Sequence, residues 1–72
     1  MTIDSVREEL ENYIGKEAIL KYNLGRNKIE QYHVTIKELY NYVFLVELNN
    51  SFNEIKSFSY SDIITKTIKI DY

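Results

Sequence analysis

The most strongly patterned stretch of the chain is residues 42–48, Tyr-Val-Phe-Leu-Val-Glu-Leu. Its β-branched and aromatic residues favour a strand, and a period of two places Tyr42, Phe44, Val46 and Leu48 on one face and Val43 and Leu45 on the other. Apolar residues on both faces predict a central strand with the core on its first side and a second cover on its other side, ending at Glu47. Upstream, residues 16–23 alternate, with Ala18, Leu20 and Tyr22 on one face and Ile19 opposite, and predict a first strand. Lys28–Leu39 turns Tyr32, Val34 and Ile36 inward and Gln31, His33, Thr35 and Lys37 outward, and a strand of that length must bend or carry a bulge. Asn49, Asn50 and Ser51 suit a tight hairpin leading into a fourth strand over residues 52–60, and residues 65–72 form a last strand with Ile68, Ile70 and Tyr72 inward.

The remaining segments follow helical rather than alternating spacing. Val6, Leu10, Tyr13 and Ile14 recur at the period of an amphipathic helix, and Ser5 with Glu8 fits a capping box at its start, with Thr2 an alternative cap one turn earlier. Gly15 ends the helix, since a left-handed terminal residue costs glycine nothing. A helix of roughly three turns is marginal alone in water, so its stripe must dock on the sheet, where Val43 and Leu45 offer a site. Near the other end, Ser59-Tyr60-Ser61-Asp62 precedes Ile63 and Ile64, and a single 3₁₀ turn capped by Ser61 and Asp62 would swing both isoleucines into the barrel mouth. A short N-terminal helix, five strands and a 3₁₀ turn before the fifth describe a mainly β protein, a small SH3-like five-stranded barrel. The whole of residues 1–72 reads as a single domain, with 1–15 the helix and 16–72 the barrel.

Composition narrows the class. Seventy-two residues allow one small core, burying about 60% of the unfolded chain's surface, with stability on the order of 3–5 kcal/mol. There is no cysteine, and no stretch has the length or apolarity of a signal peptide or a membrane span, so a soluble, cytoplasmic protein is expected. The net charge of −2 hides a division: residues 1–15 carry −3, residues 16–37 carry +3 and the remainder −2. Within the positive segment Lys21, Arg26 and Lys28 surround Gly25, whose backbone can approach a phosphate or carboxylate closely, and these three cations are the candidate partner-binding residues. The acidic total disfavours nucleic acid, because three phosphate contacts give a salt slope of only about −2.7. A protein partner asks less of the same charges, since steering speeds the encounter while an apolar anchor such as Ile19, Ile29 or a tyrosine supplies affinity.

Catalysis finds little to build on. His33 is the only histidine and has no nucleophile elbow, phosphate loop or ligand cluster around it. Glu8 with Glu9 sit on a solvated helix face, and Glu47 with Glu54 flank a hairpin, neither pair placed as acid catalysis requires. No catalytic, cofactor or metal site is therefore expected. Seven tyrosines and three phenylalanines read chiefly as core payload, with a stacking or cation-binding surface as the alternative use.

Gly15-Lys16, the loop Gly25-Arg26-Asn27-Lys28, the run from Glu38 to Phe44 and above all the segment Ser59-Tyr60-Ser61-Asp62-Ile63-Ile64-Thr65-Lys66-Thr67-Ile68 together resemble, in order and spacing, the Veg family of small Gram-positive bacterial proteins. Leu24 and Asn27 stand where the family's loop carries glycine and arginine, and Asn41 where proline is usual. The resemblance implies an SH3-like barrel in the cytoplasm and a non-enzymatic role in biofilm formation through transcriptional control. Such a module would bind a protein partner through a strand edge or the basic loop, with direct nucleic-acid binding as the alternative.

Overall fold

The computed structural model describes residues 2–50 and 52–72; the expected hairpin position Ser51 lies outside them. Helix α1 (Ile3–Glu11) starts one turn earlier than the Ser5–Glu8 box suggests. Thr2 is the cap: its hydroxyl accepts from the Ser5 N–H (3.1 Å), and the Ser5 hydroxyl accepts from the Thr2 N–H (3.0 Å). This start brings Ile3 into the apolar stripe beside Val6 and Leu10, which are buried in the core. The helix also ends early, at the Asn12 cap. Gly15 does take the left-handed conformation (φ +82°), but it serves the turn that leads into the sheet, and Ile14 is left 47% exposed.

Five antiparallel strands form one sheet: β1 (Glu17–Gly25), β2 (Lys28–Leu39), β3 (Val43–Leu48), β4 (Ile55–Ser59) and β5 (Ile68–Asp71), in the order β4-β3-β2-β1-β5. The long second strand carries the expected bulge, since its register against β3 shifts between Ile36 and Glu38 and leaves Lys37 unpaired. Inner-face residues Ala18, Leu20, Val34, Ile36, Phe44, Val46, Leu48 and Ile68 form the core with Val6, Leu10 and Tyr60.

Four expectations change on contact with this arrangement. The sheet is not closed into a barrel. Its edges are β4 and β5, short strands joined by helix α2 (Tyr60–Ile64), which fills the span that a closing ladder would need. That helix is a five-residue α-helical turn rather than 3₁₀, capped by Ser59, whose hydroxyl accepts from the Ser61 N–H (3.1 Å). The fourth strand begins at Ile55, because Asn50 Oδ1 accepts from the Phe52 N–H (3.0 Å) and Asn53 adopts φ +50°, which keeps residues 52–54 out of the strand. Finally, α1 docks on the same face as Phe44 and Val46, so Val43 stays 37% exposed. A nine-residue helix covers one face of a small sheet, and the face with Phe44 offers the larger apolar area.

Ile63 and Ile64 pack half-buried at the margin of the core, and the residue of α2 that inserts fully is Tyr60. Tyr60 is fully buried, stacks on Phe44 (ring centroids 5.6 Å apart) and donates its hydroxyl hydrogen to the Tyr40 carbonyl (2.6 Å). The row of rings continues from Phe44 to Phe58 and from Phe58 to Tyr22, each step 6.1 Å between centroids. Tyr22 belongs to β1 and Phe58 to β4, so this last contact spans the gap that hydrogen bonds leave open. Tyr42 and Tyr72 were both expected inside. Tyr42 precedes β3 in a bend and is 70% exposed; Tyr72, beyond the end of β5, stacks instead on Tyr13 (3.7 Å, 13° between planes).

Leu10 is fully buried, so Leu10→Ala is expected to lower unfolding free energy by about 2–5 kcal/mol in urea titrations, whereas a loss below about 0.5 kcal/mol, the surface range, would show α1 undocked. A second expectation concerns alkaline pH. Burial, followed by the charges of Glu9 and Tyr13, pushes the Tyr72 phenol up to about 12, and burial also raises that of Tyr60 against the opposing charge of Arg7. Both phenols ionise more readily in the unfolded chain, at about pH 10, so their contribution to stability is intact below that pH and is lost as pH rises toward the folded value. The thermal midpoint should therefore fall above about pH 10 and fall less in Tyr72→Phe; identical profiles for the two proteins would remove Tyr72 from the account.

Candidate functional site

The β1–β2 hairpin turns through Arg26 and Asn27, with φ of +40° and +65°, between the paired residues Gly25 and Lys28. Two positive φ values in succession make this a type I′ turn, whose twist matches that of the flanking strands. Asn23 prepares it by accepting from the Gly25 N–H through Oδ1 (2.8 Å). Asparagine and glycine tolerate this backbone, but arginine pays a steric cost there, which makes Arg26 the strained residue of the turn. Arg26 and Lys28 are thus brought together at the hairpin tip, both exposed.

Lys21 lies five residues before Arg26, on the order of 16 Å along the strand, and belongs to a different group. β5 returns beside β1 so that Lys21 faces Lys69 directly across the ladder. Two like charges at opposite positions of an antiparallel pair repel. Asp71 relieves part of this by pairing with the Lys21 ammonium (2.9 Å), an exposed contact worth at most about 1 kcal/mol. Lys66, held in a left-handed conformation (φ +65°) after α2, joins them. Lys21, Lys66 and Lys69 surround a shallow hollow of about 230 Å³ floored by Asn23, Ile29 and Thr67. Ile29 is 62% exposed, an apolar residue lining the same hollow as the three lysines. The outward alternation of residues 65–72 already points Lys69 away from the core. Its neighbour across the ladder is a matter of topology, and only the return of β5 to β1 sets Lys69 beside Lys21.

The remaining candidates are scattered. His33 sits exposed on the outer face opposite Ile19, and Glu47 pairs with Lys37 (3.5 Å). Among the described residues, no three His, Cys, Asp or Glu side chains lie close enough to hold a metal ion, and no helix is long and apolar enough to cross a membrane.

A family profile described as biofilm formation stimulator VEG matches residues 1–71. The chain belongs to the Veg family. No curated protein matches it. Within this Veg-family chain the matched residues include both the strained hairpin and the lysine cluster.

Arg26→Asn, which keeps the turn and removes the poorly tolerated side chain, is expected to raise stability by about 0.5–1 kcal/mol. A urea titration showing destabilisation instead would mean that the arginine side chain supports the hairpin through contacts of its own.

Proposed function

We propose that this Veg-family protein is a non-enzymatic regulatory module of the cytoplasm, acting in transcriptional control of the biofilm type by binding an acidic surface on a protein partner. The observation that carries this reading is the cross-strand pair Lys21–Lys69 beside exposed Ile29. A sheet gains nothing from two opposed lysines, whereas a partner that supplies carboxylates removes their repulsion and covers the isoleucine at once. Arg26 and Lys28 at the hairpin tip extend the same positive field, which steers the encounter. The reading also takes the open sheet as an SH3-like arrangement: a four-stranded meander, a helical turn and the return of β5 beside β1 support it.

Nucleic acid is the competing ligand for these cations. Neutralising about three phosphates gives a logarithmic salt slope of about −2.7, a weak hold at physiological ionic strength for a molecule of net charge −2. Two measurements separate the readings. The full chain is titrated with short duplex and single-stranded DNA and RNA at about 150 mM salt, where the Debye length is about 8 Å, and is used as bait in a cytoplasmic extract with and without nuclease. The expected outcome is a protein retained after nuclease treatment and lost with the Lys21→Glu, Lys66→Glu, Lys69→Glu variant, whose fold is checked by its thermal transition. Submicromolar nucleic-acid binding abolished by the same variant would overturn the protein-partner reading.

A further inference from the structure

A second concavity lies on the opposite face of the sheet, where the edges fail to meet. It measures about 390 Å³ and is lined by Tyr22 of β1, Glu30 and Tyr32 of β2, Lys56 and Phe58 of β4, and Asp62 of α2. Tyr22, Tyr32 and Phe58 are half-buried: each ring is anchored on the core while part of its surface opens into the cleft. Three rings of the core margin thus line the cleft together with two carboxylates.

The cleft is charged as well as aromatic. Glu30 accepts the Tyr32 hydroxyl hydrogen bond, and among the described residues Asp62 enters no ion pair. The hydrogen bond to Glu30, then burial, then the charges of Glu30 and Glu54 raise the pKa of the Tyr32 phenol. One cation from the chain itself already occupies part of this environment: the Lys56 ammonium lies 5.4 Å from the centroid of the Tyr32 ring, within cation–π reach. Among the residues lining the cleft Lys56 is the one cation, against the two carboxylates of Glu30 and Asp62.

We propose that this cleft binds an arginine side chain presented by a peptide segment of a partner protein. A guanidinium is planar and weakly hydrated, stacks on aromatic faces and engages carboxylates through two parallel N–H donors, so it matches rings and acids set side by side better than the compact, strongly hydrated ammonium of lysine. In the bound state it lies against the Tyr22 and Phe58 rings, hydrogen-bonds the Glu30 and Asp62 carboxylates and displaces the Lys56 ammonium from the Tyr32 ring. The chain's own lysine is thereby a competitor for the site, holding a cation where the ligand's cation goes. This site is separate from the lysine cluster, since Tyr22, Glu30 and Tyr32 share the inner face while Lys21, Ile29 and Lys69 share the outer one. Neither proposal requires the other.

The test is an NMR titration of the full-length ¹⁵N-labelled protein with acetyl-Gly-Arg-Gly-amide, alongside the same peptide carrying lysine or the uncharged isostere citrulline in place of arginine. Expected are amide shifts centred on Tyr22, Glu30, Tyr32 and Phe58, with citrulline binding about tenfold weaker, the factor that one partly desolvated cation–π contact supplies. Lys56→Gln should tighten the arginine peptide several-fold by removing the competitor, while the Glu30→Gln, Asp62→Asn double variant should weaken it by at least as much. Thermal transitions and the unperturbed amide spectrum report whether each variant is folded, and the three peptides on the wild-type chain decide the question even where a variant is not. Equal affinity for arginine and citrulline, shifts centred on the lysine cluster, or weaker binding by folded Lys56→Gln would overturn the proposal. So would the absence of any shift up to about 20 mM peptide, a concentration at which a millimolar site is close to saturated.

Discussion

A single buried phenol holds the domain together. Tyr60 has no exposed surface, and its ring is stacked on Phe44. A buried hydroxyl must be hydrogen-bonded or carry a desolvation penalty, and the partner here is the Tyr40 carbonyl, while the Tyr60 N–H reaches the Tyr42 carbonyl (3.2 Å). These two bonds tie α2 to the bend between β2 and β3, two points far apart in sequence. With that tie in place, Val6 and Leu10 of α1 and Ile68 of β5 close over the same inner face. Without it, α2 would have only half-buried isoleucines to hold it, and β5 would lose the connection that returns it beside β1.

The position of α2 also explains why the sheet stays open. A helical turn inserted between β4 and β5 occupies the seam, and the bulge at Lys37 curls the sheet enough for Tyr22 and Phe58 to meet across the inner face without bringing the two edge backbones into register. The seam therefore carries aromatic side chains in place of a hydrogen-bond ladder. That substitution creates the cleft, since rings bridging a gap leave space around them that paired strands would not.

The two faces of one small sheet consequently differ in character. On the outer face the return of β5 collects Lys21, Lys66 and Lys69 around Ile29; on the inner face, beyond the core, Glu30 and Asp62 stand beside three rings. A molecule with a net charge of −2 thus presents a positive and a negative surface with opposite preferences, and the field near each is set by local geometry rather than by the total.

The sequence by itself determined the elements. Alternation at period two marked the strands and their inward residues, Phe44, Val46, Leu48, Ala18, Leu20, Val34 and Ile36, because a residue's side of a strand follows from the local backbone alone. The helical stripe through Val6 and Leu10 was legible for the same reason, and the length of β2 called for either a bend or the bulge it carries. The lysines of the hairpin were visible as a charged loop, though not the strain at Arg26. Tertiary structure decided what no local pattern encodes. Which face α1 covers, which of Tyr60, Ile63 and Ile64 enters the core, and whether Tyr42 and Tyr72 are inside depend on the volume left once the other elements have packed. The lysine cluster joins residues 21, 66 and 69, and the aromatic cleft joins residues 22 to 62, so each exists only because β5 returns to β1 and the sheet stops short of closing. Charge and ring type are properties of residues; adjacency between strands distant in sequence is a property of the fold, and both candidate sites are made of that adjacency.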